Sequence, residues 1–273
     1  MDVKSLLKHA FNDLKSVSDA PVLESELLLS SVLGVKRGKL YLMENSLVDD
    51  YLVRKFFVCI EKRKKGYPFF YIFGKREFMN LEFIVKEEVL IPRQETETIV
   101  EESLKIANGK KMKVFDIGTG SGCIILSFLY YNKLSEGTGI DISKAAVKLA
   151  SSNAKKLNLI DRVSFLNVDF SLYNPSKEFD IIFSNPPYVK GNKIKDVKCE
   201  PYRALNGGKD GFKFYPFLFK KSISMLSRGG YLFVEIDDDM GERAAQIMKD
   251  EGFKDIRIIK DLSNLDRVVC GVK

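Results

Sequence analysis

Five residues, Phe179-Asp180-Ile181-Ile182-Phe183, run into Ser184 and then into Asn185-Pro186-Pro187-Tyr188. Dominated by phenylalanine and isoleucine, the run has no clean polar face, which fits a strand buried on both sides, as in parallel sheets covered by helices. Two prolines end it, because each fixes φ and lacks the N–H that a ladder needs. Asn185 to Tyr188 is therefore expected at the carboxyl end of a parallel strand, the edge at which open α/β sheets bind ligands. The Asn185-Pro186-Pro187 backbone there is stiff, with outward carbonyls and few neighbouring donors. The Asn185 side-chain oxygen and the Pro186 carbonyl can each take one hydrogen of a planar NH₂ group, while Tyr188 offers an apolar face and a hydroxyl. Alone, the same tetrapeptide also reads as a plain proline turn.

Upstream segments supply the rest of such a sheet. Lys113 to Ile117 reads as a strand running into Gly118-Thr119-Gly120-Ser121-Gly122 and an apolar helix from Cys123 to Tyr131. Alternate glycines let backbone approach a ligand and aim the helix's first amides at it. The spacing differs from the dinucleotide fingerprint G-x-G-x-x-G, so a nucleotide-like ligand without a pyrophosphate fits better. A second strand, Gly137 to Ile140, ends in Asp141, placed to take two ribose hydroxyls. A third, Val163 to Val168, ends in Asp169-Phe170, an acid that can accept from an adenine amino group beside a ring that can cover the base. With Asp116 in the first, three successive strands carry an acid at their ends. A fifth strand, Tyr231 to Ile236, follows Gly229-Gly230, and Ile256–Ile259 and Arg267–Val272 read as a closing hairpin, which makes one edge strand antiparallel. The polar, glycine-rich stretch from Val189 to Lys213 is long for a connection, as site loops often are.

Before the sheet the pattern is helical. Leu6, Leu7, Ala10, Phe11 and Leu14 recur at helical spacing; a second helix starts at Pro21 and stops at Gly34; a third, with Asp49 in a capping role, runs to Gly66. The basic run Lys62 to Lys65 invites a nucleic-acid reading, but cations at a helix C-terminus also follow from the macrodipole. From Tyr67 to Pro92 the pattern turns to β, with Phe69, Tyr71 and Phe73 alternating and a Met79-Asn80 turn. The expected organisation is a helical substrate-binding domain over 1–66, a β-hairpin linker over 67–92 and an α/β domain over 93–273. A helix begins near Glu95 and runs to Asn108. Arg93, at its start, can meet a ligand, though local pairing with Glu95 or Glu97 is the simpler reading.

The net charge of +7, from 44 basic and 37 acidic residues, permits an acidic partner without requiring one. Cys59, Cys123, Cys199 and Cys270 form no C-x-x-C pair and His9 is the single histidine, so neither a zinc site nor a disulfide framework is expected, and no metal is assigned. Charges throughout Met1 to Ser16, and no stretch near roughly eighteen apolar residues, point to a cytoplasmic protein away from membranes.

Asp116-x-Gly118-x-Gly120-x-Gly122, the acid closing the second strand, Asn185-Pro186-Pro187-Tyr188 after the fourth, and the final hairpin resemble a Rossmann-like S-adenosylmethionine-dependent methyltransferase. More narrowly, the chain is similar to the HemK/PrmC family, the peptide chain release factor glutamine methyltransferases. Tyr71-Ile72-Phe73-Gly74, Leu90-Ile91-Pro92-Arg93, Glu95-Thr96-Glu97, Glu200-Pro201 and Asp266-Arg267-Val268-Val269 carry that narrower likeness. The resemblance implies a seven-stranded, mostly parallel sheet with one antiparallel edge strand, plus an N-terminal helical bundle joined by a β-hairpin. It implies S-adenosylmethionine as cofactor, contacted by Asp116, Gly118, Thr119, Gly120, Ser121, Gly122, Asp141, Asp169, Phe170 and Asn185. It further implies a class 1 release factor as protein substrate of a monomer, methylated on the glutamine of its Gly-Gly-Gln motif. Asn185 and Pro186 would be catalytic, and Asn185, Pro186, Pro187, Tyr188 and Arg93 would bind the substrate. Gln94, Asp237 and Met240 depart from the family pattern, where proline, glycine and glutamine are usual.

Two competing functions are a nucleic-acid methyltransferase acting on an adenine or guanine amino group, and a non-catalytic partner that keeps a cofactor pocket. The first needs base flipping and normally a basic, aromatic recognition surface, which the mixed-charge helical part lacks, so no stable nucleic-acid partner is assigned.

Overall fold

The protein is described from a computed structural model covering residues 1–175, 178–191, 194 and 199–273. The chain divides into two compact units, Met1–Lys75 and Arg76–Lys273.

The first unit is helical. Helix α1 (Val3–Leu14) is capped by Asp2, whose side chain accepts from Ser5 N–H at 2.7 Å, and it buries Val3, Leu6, Ala10 and Leu14 along one face. α2 (Pro21–Leu33) stops at Gly34, which takes the left-handed conformation that glycine adopts without strain. A short α3 (Lys39–Leu42) precedes α4 (Asp50–Lys64), capped by Asp49 as its sequence position suggests. In the basic run, Arg63 pairs with Glu24 at 2.9 Å and Lys64 with Glu61 at 2.8 Å, so two of its cations are already engaged. The aromatic stretch expected to be a strand is instead a helix, α5 (Phe69–Phe73). Pro68 starts the turn by accepting from Tyr71 N–H, Gly74 ends it at φ 78°, and Phe69 stacks on Phe73 one turn later with ring centroids 5.3 Å apart.

β1 (Lys75–Phe78), which starts on the last residue of the first unit, and β2 (Leu81–Ile84) form a two-stranded hairpin. Met79 and Asn80 both have positive φ, the signature of the type I′ turn that matches strand twist. α6 (Glu97–Ala107) ends on left-handed Asn108. Then follow β3 (Lys113–Ile117), α7 (Cys123–Tyr131), β4 (Glu136–Asp141), α8 (Lys144–Lys156), β5 (Val163–Asn167) and β6 (Phe179–Ser184). The chain closes with α9 (Tyr202–Leu205), α10 (Tyr215–Met225), β7 (Leu226–Glu235), α11 (Gly241–Asp250), β8 (Lys254–Lys260) and β9 (Asp266–Val272). Of the long segment between β6 and α10, residues 192, 193 and 195–198 lie outside the described residues.

The sheet order is β5-β4-β3-β6-β7-β9-β8. The first five strands are parallel, and β9 pairs antiparallel with both β7 and β8, so the reversed strand stands at this end of the sheet with β8 outside it. Gly229-Gly230, expected to precede β7, lies within it, where left-handed Gly229 accompanies an irregular register against β6. The apolar run of β6 is buried on both faces. Ile181 and Phe183 pack with α6 and α7 residues such as Val100 and Phe128, while Phe179 and Ile182 pack with Tyr215 and Phe219 of α10 and Met248 of α11. After β3 the chain moves outward through β4 and β5, then returns to place β6 on β3's other side. The carboxyl ends of β3 and β6 therefore flank the point where strand order reverses, where doubly wound sheets open a crevice.

Candidate active site

A cavity of about 1060 Å³ opens at that crevice. Gly118, Thr119, Gly120 and Ser121 line it after β3, Asp141 after β4, Asp169 and Phe170 after β5, and Asn185, Pro186 and Pro187 after β6, with Arg93 also in the wall. Asp116, Gly122 and Tyr188 lie outside the wall. Gly122 is instead a close-packing position between helices: a Cβ there would stand 2.9 Å from Leu126 Cδ1 and 3.2 Å from Ala150 Cβ.

The glycine loop is held from beneath by two acids. Asp141 Oδ2 accepts from Gly120 N–H at 3.0 Å and its Oδ1 from Ser143 N–H at 2.8 Å. Burial raises its pKa against the pull of those two hydrogen bonds. Asp116 is fully buried, with Oδ2 accepting from the Thr119 hydroxyl at 2.6 Å and Oδ1 lacking any hydrogen-bond partner among the described residues. Burial pushes its carboxyl up to about 7; the Thr119 bond opposes this and the Asp141 charge adds to it. At Gly118, φ is 72° and the space a Cβ would occupy is open. Asn153 of α8 ties loop to hairpin: it exchanges hydrogen bonds with both backbone groups of Ile84 and donates to Ser121 O at 2.9 Å.

Asp169 accepts from Ser171 N–H at 2.7 Å, which holds its carboxyl below the ordinary value. Phe170 meets Phe217 edge to face at 5.7 Å, and Lys221 lies 5.0 Å over its ring while donating to its carbonyl.

At the end of β6, Asn185 Nδ2 donates to Thr96 Oγ1 at 3.3 Å, which leaves the Asn185 side-chain oxygen without that tie. Tyr188 turns its hydroxyl away from the cavity, donating to Glu235 Oε1 at 2.9 Å. The Glu235 charge, then burial, raises the phenol's pKa well above normal. Arg93 pairs with neither Glu95 nor Glu97, the local partners the sequence suggested. Its guanidinium meets Glu200, whose carboxylate also accepts from Ile91 N–H at 3.3 Å. A loop acid distant in sequence thus reaches both the arginine and the Ile91 main chain, and it lines the same cavity as Ile91 and Arg93.

Sequence reasoning gave no role to Thr96, Glu200 or Glu235. Glu235 carried a signal, as a lone acid in the apolar run Leu232-Phe233-Val234-Glu235-Ile236. Burial raises its pKa, with the hydroxyls of Thr96 and Tyr188 pulling it down. Among the described residues the one cluster of three carboxylates is Asp237, Asp238 and Asp239, and Asp239 pairs with Lys190. Of the cysteines, Cys123 and Cys270 are buried with thiols pushed up to about 12, Cys59 is half-buried with its thiol raised by burial, and exposed Cys199 stands on the cavity wall.

A family described as "Methyltransferase domain" matches residues 108–256, which include β3 to β7 of the doubly wound sheet and its crevice, and this sets the class of the domain. A 16S rRNA N2 G1207 methyltransferase from T. thermophilus, solved in complex with AdoMet and guanosine, has the same fold, with a TM-score of 0.54 and 16% identity over 73% of this chain and 49% of that one. The PrmC N-terminal domain family matches residues 5–74. The release factor glutamine methyltransferase of Clostridium acetobutylicum is 39% identical, covering 100% of this chain and 99% of that protein. That of Clostridium botulinum is 36% identical over 98% of each. The chain belongs to the release factor glutamine methyltransferase family.

Proposed function

We propose that this protein transfers a methyl group from S-adenosylmethionine to the side-chain amide nitrogen of the glutamine in the Gly-Gly-Gln motif of class 1 peptide chain release factors. The observation that carries the reading is the Asn185 amide, held through its nitrogen by Thr96 at 3.3 Å at the rim of a cavity that the glycine loop also lines.

The residues present suit the cofactor. Gly118 leaves open space at the loop, and Asp141, whose two oxygens each have one protein donor, lines the cavity. Asp116 keeps a buried acceptor in reserve behind the loop. Gly118 to Ser121 and Asp141 would hold the nucleoside and its chain, and Asp169 with Phe170 the base. When bound, the cofactor supplies a sulfonium methyl open to in-line attack by a lone pair.

This chain's own part is to prepare that lone pair. An amide nitrogen is a poor nucleophile because its electrons are shared with the carbonyl. Asn185 Oδ1 and the Pro186 carbonyl each accept one N–H, which aims the lone pair and favours the positive charge that grows on nitrogen in the transition state. Both acceptors are neutral and fixed, one by Thr96 and the other by proline geometry. Alignment within a closed site supplies most of the rate. Once alkylated, the nitrogen is cationic and carries two acidic hydrogens; one leaves to water and the other stays in the N-methyl amide, so no strong base is called for. The N-terminal helical unit is the natural place for the release factor to be recognised, by a monomer in the cytoplasm.

The test is mass spectrometry of purified release factor after incubation with this protein and cofactor, with RNA and DNA as parallel substrates. One added methyl on the Gly-Gly-Gln peptide is expected. An unmodified release factor together with a methylated nucleic acid would overturn the reading.

A further inference from the structure

Asp169 and Phe170 are held in place by a residue with no part in the reading above. Lys221 stands on α10, 51 residues beyond Phe170, and lies outside the cavity wall. Its ammonium donates to Phe170 O at 2.6 Å and to Ser171 O at 2.9 Å. The same nitrogen is 5.0 Å from the centre of the Phe170 ring and 6.0 Å from that of Phe217, one turn earlier on α10. Phe170, Ser171 and Phe217 all line the cavity, and Phe217 is 47% exposed. The turn's other bonds are local: Ser171 N–H donates to Asp169 Oδ1 at 2.7 Å, Leu172 N–H to Asp169 O at 3.0 Å and Tyr173 N–H to Phe170 O at 3.3 Å. We propose, resting on the cofactor reading above, that Lys221 is a positioning residue for the base: it sets the peptide planes that aim Asp169, and so gives the site its preference for a purine that carries an amino group.

In a trans peptide the C=O and the following N–H point in opposite directions. Lys221 draws the carbonyls of Phe170 and Ser171 towards one point outside the wall. The N–H groups of Ser171 and Leu172 therefore turn the other way, and both end on Asp169. An ammonium has three donors and no acceptor, and its bonds to carbonyls are charge-assisted, so this pull exceeds that of neutral contacts. Ser171 N–H then occupies Oδ1, which leaves Oδ2 as the acceptor for an exocyclic amino group. A base with a carbonyl there would set oxygen against carboxylate. The cation also ties the Phe170 and Phe217 rings to the same point, so the acid and the aromatic surface beside it keep one arrangement. Without the ammonium, the turn keeps bonds only among near neighbours, and the plane of the peptide between Phe170 and Ser171 is free to swing.

The test uses the full chain and two variants. Lys221→Met keeps the length of the side chain and loses every donor, whereas Lys221→Arg keeps charge and donors. Titration calorimetry measures binding of S-adenosylhomocysteine and of its inosine analogue, in which a carbonyl replaces the base amino group. The wild type should prefer the adenosine form by roughly tenfold or more. Lys221→Met should weaken that form roughly tenfold, the scale of one charge-assisted hydrogen bond, while the inosine form stays within about threefold. Lys221→Arg should stay within about threefold on both. Independently of any ligand, NMR should find the Ser171 and Leu172 amides exchanging faster in Lys221→Met than in wild type and Lys221→Arg. Should the methionine variant not fold, Lys221→Gln, which loses the charge and the reach, is read in its place. Equal exchange in all three proteins, an equal loss on both analogues, or a wild type that binds the two analogues equally well overturns the proposal. A wild type that binds neither analogue defeats only the cofactor reading, and the exchange pattern still decides whether Lys221 sets the turn.

Discussion

Replacing Asp116 by Asn should change how the stability of the protein depends on pH. The carboxyl is fully buried with one oxygen unpaired, and burial moves it from the ordinary 3.8 to about 7. At about 1.36 kcal/mol per tenfold change in proton affinity, that displacement is worth roughly 4 kcal/mol. The folded state binds this proton more tightly than the unfolded chain, so the contribution is fully present below pH 3.8 and lost as pH rises through about 7. Asn cannot ionise and lacks this slope. Its own unpaired amide costs about 1–3 kcal/mol, but does so at every pH. Domains of 150–250 residues shift by roughly 2–4 °C per kcal/mol, so Tm of the variant relative to wild type should rise by about 8 °C between pH 4.5 and 8. Calorimetry without cofactor measures it. A difference in Tm that stays constant across this range would show that Asp116 ionises in the folded protein at no special cost, and the reasoning from burial would fail.

Asn185→Ala should cut turnover by roughly two to three orders of magnitude, as for loss of one preorganised polar contact, with near-normal cofactor affinity by titration calorimetry; an unchanged kcat would remove Asn185 from the mechanism. Asn153→Ala deletes three hydrogen bonds of a buried side chain, to Ile84 N, Ile84 O and Ser121 O, and should cost about 2–4 kcal/mol in denaturant unfolding. A loss below about 1 kcal/mol would mean that hairpin and loop are held by packing alone. Gly207→Ala would place a Cβ 2.6 Å from the Tyr188 main chain and 2.8 Å from Gly211 O, with only backbone to yield. We expect a loss of about 1–3 kcal/mol and a larger fractional loss of activity, and a variant with wild-type melting and turnover would contradict it.

Much of the α/β unit was legible because its strands are short apolar runs and its helices carry caps that local chemistry dictates, such as Ser143 before α8 and Asn108 after α6. Phe69 to Phe73 misled because every residue is apolar or aromatic, which marks neither a two-residue nor a helical period; Pro68 and Gly74 were the better guides. At the site, the sequence pointed to the residues that end strands, since topology alone brings those to one edge. It could not show Arg93 meeting Glu200, or Asn185 meeting Thr96, because 107 and 89 residues separate those partners. Spacing reports on neighbours within a turn or a hairpin, and long-range pairing depends on where the loops return.

One thiol of four is exposed, and it stands on the wall of the cavity. Cys123 and Cys270 are buried and Cys59 is half-buried, and burial raises the pKa of all three thiols. Cys199 is thus the most accessible attachment point for a fluorophore or a spin probe. Occupancy of the crevice can be followed in the unaltered polypeptide, by how fast a maleimide reacts there as the space beside it fills.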